Sequence, residues 1–355
     1  MSVQVGVPKE TKPLEGRVAL TPGAVAELVG RGAEVGIEQG AGVASGYPDD
    51  AYTAAGARVL ADADALYGWA RLVVKVKEPV GDEIGRLRSD HLLFCYLHLA
   101  ANPELMARLC DIGLTAVAFE TVADHGRLPI LTPMSEIAGR LSVQVAAQLL
   151  HTPSGGSGIL LGGLPGVSRG NVVVLGAGNA GGAAVMAAAA LGANVTVFDR
   201  NPVALERMYR FAPNITALVP TAHALDAAVA SADLLVGAVL LPGAATPRLV
   251  SRAQVARMRP GSVVADIAID QGGCIETARP TTYDDPVYVD EGVQHFCVTN
   301  MPGAVPRSAT QALTAALLPY LLRLLDADWR DDRRLAGAIN VADGEVVYPA
   351  LKGEG

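Results

Sequence analysis

The sequence predicts an α/β protein with two domains, each built around a largely parallel sheet. Short apolar runs alternate with helix-like segments in two separate rounds, a pattern typical of parallel sheets covered by helices. A glycine-rich stretch at residues 152–170 separates the two rounds and is predicted to be a loop. The length of 355 residues also exceeds that of most single domains.

The first round contains five apolar runs, which we interpret as strands, with helix-like segments between them. The predicted strands are 4–7, 34–37, 72–76, 92–97 and 115–119, and the predicted helices are 22–31, 51–55, 61–69 and 103–112. The last of these helices has a favourable start, because Asn102 can cap it and Pro103 suits its first position.

A predicted helix at 135–151 precedes the glycine-rich loop. The second round then has predicted strands at 172–175, 195–198, 234–238 and 263–267, and a final helix follows at 309–325. We expect this final helix to pack back on the first domain. The first domain would then be discontinuous, with residues 1–134 and 306–355, and the second would contain residues 135–305.

The charge pattern argues against nucleic acid or a membrane as a partner. The chain has 28 basic and 36 acidic residues, a net charge of −8 and no block of like charge. A nucleic-acid binder needs a basic stripe to neutralise phosphates, and an anionic membrane surface attracts basic segments. The alanine-rich run at 183–191 is too short to span a bilayer.

Four scattered cysteines indicate neither a disulfide framework nor a metal site. They are Cys95, Cys110, Cys274 and Cys297. They form no C-x-x-C pair, and no histidine lies at metal-ligand spacing from them, so we expect no bound metal. This usage suits reduced thiols, and the first residues carry no secretory pattern. We therefore expect a cytoplasmic protein.

A glycine motif predicts a dinucleotide site in the second domain. The apolar run 172–175 leads into Gly176-x-Gly178-x-x-Gly181, and an alanine-rich helix follows. The first glycine permits a tight turn, the second lets the backbone approach a pyrophosphate, and the third allows close helix–strand packing. The phosphates would bind the unpaired N–H groups at the helix start.

An acid at the end of the next strand favours NAD as the cofactor. Asp199 follows the run 195–198, near the twenty-residue offset expected for an acid that binds the adenosine ribose. Its charge would repel the 2′-phosphate of NADP. Arg200 lies beside it, so the residues favour NAD and keep NADP as the alternative.

Four segments hold ionisable groups in apolar or glycine-rich surroundings that are candidates for chemistry. Arg17 follows a loop and could clamp a carboxylate, although an ordinary surface arginine is the alternative. Lys75 and Lys77 would share one face of a strand, so spacing cannot choose between them. His98 and Asp270 each follow an apolar strand, where open α/β sheets bind ligands. A buried histidine without a function and an acidic turn residue are the alternatives.

These segments together resemble the alanine dehydrogenase and pyridine-nucleotide transhydrogenase family. The resemblance extends from about Val5 to about Thr314 with its motifs in the expected order. The matching strings are VGVPKET, GRVALTP, VKVKEP, LHLAA, PMSEIAGRL, GGLPGV, GAGNAGG, GAVLLPG, DIAIDQGGC, RPTTYD and TNMPGAVP.

The resemblance implies a fold, a reaction and an assembly. Both domains would be Rossmann-like with parallel sheets, the discontinuous one binding substrate and residues 135–305 binding NAD. The reaction would be NAD-dependent oxidative deamination of L-alanine to pyruvate and ammonia, and its reverse. The family also suggests a homohexamer.

The resemblance assigns site residues as well. Arg17 and Lys77 would bind the carboxylate and oxo group of pyruvate, and His98 and Asp270 would be the acid/base pair. The remaining residues would contact the cofactor: Met134, Ser135, Gly176, Gly178, Asn179, Ala180, Gly181, Asp199, Val239, Leu240, Ile267, Ala268, Ile269, Asp270, Arg279, Val298, Thr299, Asn300 and Met301.

The match departs from the family pattern at the adenine end. Ala204 stands where the family often has a basic residue, and 219–221 reads Val-Pro-Thr where it often has serine. Three alternatives stay open. The chain could be the NAD-binding part of a proton-translocating transhydrogenase, act on another amino or imino acid, or bind a dinucleotide without catalysis.

Overall fold

The computed structural model describes residues 2–239 and 246–352. It divides into two compact units, Met1–Met134 with Gly303–Gly355, and Ser135–Pro302. Each unit holds one sheet flanked by helices. The predicted α/β class, the two domains and the discontinuity of the first domain are therefore confirmed.

The discontinuous unit contains an eight-stranded sheet in the order β15-β14-β6-β5-β4-β1-β2-β3. Numbered in chain order, its strands are β1 (Gln4–Val7), β2 (Glu34–Glu38), β3 (Arg58–Leu60), β4 (Leu72–Val74), β5 (Leu92–Cys95), β6 (Thr115–Ala118), β14 (Ile339–Ala342) and β15 (Glu345–Val346). β1 to β6 pair in parallel, whereas β14 and β15 are antiparallel to their neighbours.

Helices cover this sheet and complete its core. They are α1 (Pro22–Gly30), α2 (Asp49–Ala54), α3 (Ala63–Trp69), α4 (Glu83–Arg86), α5 (Pro103–Ile112), α11 (Pro306–Leu324) and α12 (Arg333–Ala336). The Asn102 side chain caps α5, as expected. The returning α11 packs beside α1, and its Thr310 and Thr314 hydroxyls bond to the backbone of Val18 and Ala19 at 3.0 Å.

The second unit contains a seven-stranded sheet in the order β12-β13-β11-β10-β7-β8-β9. Its strands are β7 (Asn171–Leu175), β8 (Asn194–Phe198), β9 (Ile215–Leu218), β10 (Leu234–Gly237), β11 (Val263–Asp266), β12 (Val287–Asp290) and β13 (Val293–Phe296). Only the edge strand β12 is antiparallel to its neighbour.

The helices of the second unit include the one that follows the glycine motif. They are α7 (Asn179–Ala190), α8 (Pro202–Tyr209), α9 (Ala222–Ser231) and α10 (Arg252–Val255). A longer helix, α6 (Leu131–Leu149), contains the boundary between the units. Buried valines and leucines of β7, β10 and β11 form the core, as continuous apolar runs predict for strands covered on both faces.

The sequence prediction missed several elements. Six strands were not predicted, the parallel β3, β9 and β13 and the antiparallel β12, β14 and β15, whose short and partly polar runs give a weak signal. The helices α4, α8, α9, α10 and α12 were not predicted either.

The prediction also extended several strands too far, since β4 ends at Val74 and β5 at Cys95. The first N–H group beyond each of these strands still bonds to the neighbouring strand segment, from Lys75 to Phe94 and from Tyr96 to Val76. The next N–H groups, of Val76 and Leu97, donate to carboxylate side chains. Among the described residues, no helix combines the length and apolarity needed to cross a bilayer.

Candidate nucleotide and substrate sites

The glycine motif forms a tight turn between β7 and α7. Gly176 has φ +97°, which glycine adopts without strain. A Cβ on Gly181 would lie 1.8 Å from the Gly176 carbonyl oxygen, so helix and strand can approach this closely only with glycine there. A Cβ on Gly178 would meet open space, so the backbone at the start of α7 is accessible to a ligand. Each glycine therefore has the environment that a dinucleotide turn requires.

Asp199 lies directly beside this turn. Its Oδ2 accepts the Ala177 N–H at 2.6 Å, and its Oδ1 accepts the Asn201 N–H at 2.8 Å. The Arg207 guanidinium donates to the Ala177 carbonyl at 2.7 Å. Hydrogen bonds thus hold both the N–H and the carbonyl of Ala177, the residue between the first two glycines. The Asp199 carboxylate is partly exposed at the end of β8.

The other candidate cofactor residues lie beyond neighbouring strands of the same sheet. Val239 follows β10, and its Cγ2 would be 3.3 Å from a Cβ on Gly176. Residues 267–270 follow β11, and residues 298–301 follow β13. Because β13, β11, β10 and β7 are adjacent and parallel, these segments lie at one sheet edge. Leu240 lies outside the described residues.

Arg279 is held by an aromatic support that the sequence analysis missed. Its guanidinium lies 4.0 Å from the centroid of the Tyr288 ring, and its backbone N–H donates to the Tyr288 hydroxyl at 2.7 Å. The Tyr288 ring also stacks on the ring of the buried His295, with 4.9 Å between the centroids. This stack fixes an exposed cation through cation–π and hydrogen-bond contacts.

Asp270 lies on a helical turn, Ile267–Gln271, whose shape is set by a buried acid. Asp266 is fully buried and accepts three backbone N–H groups, from Ala268 at 3.0 Å, Cys274 at 2.8 Å and Ile275 at 3.1 Å. Burial raises the pKa of Asp266 to about 6, although these bonds oppose the shift. The sequence analysis missed Asp266; an acid inside the apolar run 263–269 was the available signal.

In the other unit, Arg17 is a buried cation with a fixed orientation. Its Nε and Nη2 donate to the two oxygens of Glu15 at 2.6 and 2.5 Å. Its Nη1 lies 3.2 Å from the sulfur of Met134, another candidate residue. Burial lowers the pKa of Arg17, but the paired Glu15 outweighs this and the pKa rises above its ordinary value. Ser135 is the next residue of α6 and is partly buried.

The structure distinguishes the two lysines that spacing could not. Lys75 is 1% exposed and pairs with Glu10 and Glu83 inside the unit. Lys77 is only partly buried, and burial followed by the charge of Arg17 lowers its pKa. Lys75 is therefore an internal structural charge, and Lys77 is the lysine that a ligand can reach.

His98 lies at the end of the adjacent strand in a left-handed backbone conformation, φ 48°. Its N–H donates to Glu120 Oε1 at 2.6 Å, and the Leu97 N–H reaches the same carboxylate at 3.2 Å. The imidazole is exposed and stacks on Tyr96, with 5.8 Å between ring centroids. Glu120 and Tyr96, which the sequence analysis did not select, thus determine where His98 points.

A glycine turn, an acid beside it at the end of the next strand and ionisable groups at strand ends are typical of two-domain, nicotinamide-nucleotide-binding oxidoreductases. Comparison with known proteins specifies the family. The N-terminal domain model of alanine dehydrogenase/PNT matches residues 6–138, and the C-terminal domain model matches residues 142–349. The chain belongs to the alanine dehydrogenase/PNT family.

Similar proteins match nearly the whole chain. An alanine dehydrogenase from Halomonas elongata is 48% identical, over 98% of this chain and 96% of that protein. A solved L-alanine dehydrogenase is 46% identical over 99% of both chains, with a TM-score of 0.95. A transhydrogenase structure from Sinorhizobium meliloti is 30% identical over 98% of this chain and 99% of that chain, with a TM-score of 0.84.

The raised pKa of Asp266 predicts a pH-dependent stability. Between pH 8 and pH 5 the folded chain takes up a proton at Asp266, whereas in the unfolded chain the carboxyl keeps its ordinary pKa near 3.8 and stays ionised. Stability contributed by this group therefore rises as the pH falls. The free energy of unfolding, relative to Asp266→Asn, should increase by about 1 kcal/mol from pH 8 to pH 5 in denaturant titrations. A difference in unfolding free energy between the wild type and Asp266→Asn that stays constant with pH would contradict the raised pKa of Asp266.

Proposed function

We propose that this chain is an NAD-dependent enzyme that interconverts L-alanine with pyruvate and ammonia, using Arg17, Lys77, His98 and Asp270. Family membership and near-full-length similarity to alanine dehydrogenases support the reaction. The observation that supports the residue assignments is that Lys77 and His98 follow β4 and β5, which are adjacent parallel strands of one sheet. The same unit holds the oriented guanidinium of Arg17.

Arg17 is suited to bind the substrate carboxylate. Its two bonds to Glu15 orient the guanidinium plane, and planar recognition of a carboxylate depends on such orientation. Lys77 would bind the same carboxylate and the oxo group of pyruvate. The lowered pKa of Lys77 reflects the burial and positive charge around it, and an incoming carboxylate would relieve that repulsion.

His98 and Asp270 are proposed to carry the protons. Oxidation of alanine requires loss of a proton from the amine, addition of water to the imine and release of ammonia. Imidazole is the side chain most often used in general acid–base catalysis, and His98 would serve each of these steps in turn. NAD, when bound, would supply the hydride acceptor for Cα. The cations around the substrate help hold the developing charges.

The dinucleotide is proposed to bind along the edge of the second sheet. Gly178, Asn179 and Ala180 would meet the pyrophosphate at the start of α7, whose backbone is accessible. Asp199 would bind the adenosine ribose hydroxyls, which supports NAD over NADP. Arg279, on its Tyr288 support, and residues 298–301 would contact the remainder of the cofactor.

Cofactor preference gives the first test of this proposal. The enzyme should prefer NADH strongly to NADPH, and Asp199→Ala should narrow the ratio of the two kcat/KM values by an amount equivalent to roughly 1–3 kcal/mol. The ratio is the useful measure, because Asp199 also holds the Ala177 and Asn201 N–H groups and its loss affects both cofactors. Arg200→Ala tests the neighbouring cation, which would favour NADPH, and this substitution should not narrow the ratio. Equal kcat/KM for NADH and NADPH in the wild-type enzyme would contradict the choice of NAD.

Kinetics of the four substituted enzymes test the division of roles. Arg17→Ala and Lys77→Ala should raise KM for pyruvate, with the larger effect at Lys77 if it also polarises the oxo group. His98→Asn should lower kcat by roughly 10²–10⁴-fold, and Asn tolerates the left-handed backbone at this position. Asp270→Asn should lower kcat as well. NADH fluorescence checks that each variant still binds the cofactor, and a His98 variant with wild-type kcat would refute the acid/base role.

Assembly and location complete the proposal. We propose a homohexamer by analogy with the family, and a cytoplasmic location supported by four cysteines that all remain free thiols. Light scattering of the purified protein should give a mass near six times 36.5 kDa. A stable monomer at micromolar concentration would overturn the assembly.

The similarity to a transhydrogenase favours one alternative function. In that case the chain would bind NAD(H) as part of a larger proton-translocating assembly. An assay of NADH oxidation with pyruvate and ammonia separates the two, since only the dehydrogenase turns over with these substrates. A panel of 2-oxo acids and amines in the same assay would identify a related substrate.

A further inference from the structure

A buried cluster of three charges lies just outside the proposed substrate site. The Lys75 ammonium is 3.3 Å from Glu10 Oε2 and 3.2 Å from Glu83, and these three side chains are between 1% and 4% exposed. Burying ionised groups is costly unless they are paired and hydrogen-bonded. A cluster of this kind needs a reason beyond stability, because apolar residues could fill the same space at lower cost.

The two carboxylates hold the backbone of the segment that carries Lys77. Glu10 Oε1 accepts the Val76 N–H at 2.6 Å, and Glu10 Oε2 accepts the Lys77 N–H at 3.3 Å. Glu83 Oε2 accepts the Val80 N–H at 2.9 Å. β4 has ended at Val74, so these N–H groups lie beyond the strand.

We propose that Glu10 is a positioning residue for Lys77, and that Lys75 is its internal counter-ion. This inference rests on the proposed role of Lys77 in binding pyruvate. Glu10 accepts the Lys77 N–H from inside the unit. This hydrogen bond fixes the backbone position from which the Lys77 side chain extends. Lys75 offsets the charge of the buried carboxylate, so that a two-oxygen acceptor can be kept in the interior.

The three residues have separate tasks in this arrangement. Lys75 points inward and is shielded from solvent, so it does not meet the substrate. Glu83 anchors the far end of the segment at Val80 and shares the ammonium of Lys75. Glu10 is the member that bonds to Lys77 itself, so we expect its loss to act on pyruvate chiefly through Lys77.

A double-mutant cycle between Glu10 and Lys77 tests the proposal. The variants are Glu10→Gln, Lys77→Ala and the double variant. The measured quantities are the Kd of pyruvate for the enzyme–NADH complex, by NADH fluorescence, and kcat/KM for pyruvate. Glu10→Gln should raise the Kd of pyruvate and lower kcat/KM, each by about tenfold or more, since small misplacements of binding groups are costly. In the double variant, removal of Glu10 should add less than twofold to the effect of Lys77→Ala.

Two further variants keep the test decisive. Glu10→Asp retains the charge facing Lys75 but is one methylene shorter, so it should reproduce the coupled loss even if Glu10→Gln does not fold. Glu38→Gln is the matched control, because the Glu38 carboxylate also accepts a backbone N–H, from Lys9 at 2.9 Å, in the same unit. It should bind pyruvate like the wild type.

The outcomes separate this inference from the proposed function. A wild-type enzyme without alanine–pyruvate turnover refutes the function, and a Lys77→Ala variant with unchanged pyruvate binding refutes the role of Lys77 and the inference with it. Where Lys77→Ala weakens binding, Glu10 variants with wild-type Kd overturn the inference. So do losses that multiply independently in the double variant. Only a loss that disappears without Lys77 supports it.

Discussion

Backbone N–H groups just beyond the parallel strands must find acceptors, and the proposed site depends on how four carboxylates meet this need. Glu10 takes two such groups beyond β4, Glu120 takes two beyond β5, Asp199 takes one from the glycine turn after β7, and Asp266 takes three beyond β11. Since buried backbone donors are almost always satisfied, each carboxylate fixes a loop. Those loops carry Lys77, His98, the phosphate turn and Asp270.

Keeping these carboxylates ionised inside the protein costs free energy, and groups next to each carboxylate offset part of that cost. Burial raises the pKa of Glu10 and that of Asp266, so ionisation is disfavoured at both positions. At Glu10 the ammonium of Lys75 opposes the shift, and at Asp266 three N–H dipoles do so. The gain is geometric: a carboxylate with two oxygens can join two or three separated peptides, which a neutral side chain of similar size cannot do equally well.

The sequence alone predicted features that are encoded in short patterns, such as strands and turns, and missed features that depend on how deeply a residue is buried. The longer apolar runs predicted most of the parallel strands but not β3, β9 and β13, and Gly176, Gly178 and Gly181 predicted the tight turn, because a period and a spacing are visible in one dimension. The choice between Lys75 and Lys77 was open because residues two apart in a strand share a face. The structure separates the two lysines because β4 stops at Val74, before both of them. Asp266 was overlooked because burial depends on what packs around a residue.

The same residue type therefore serves opposite purposes a few positions apart. Lys75 and Lys77 differ by two residues, and Asp266 and Asp270 by four, yet the first of each pair is buried and the second is at least partly exposed. Asp266 holds backbone N–H groups directly, whereas Lys75 is the counter-ion of Glu10, which accepts the N–H groups in that segment. Each inner charge lies at or beside the last residue of a strand, where the chain leaves the sheet. A segment such as VKVKEP or DIAIDQGG thus carries one charge that the interior of the fold requires and one that is proposed to act in the site. Replacing the inner charge should disturb binding or catalysis through the outer one.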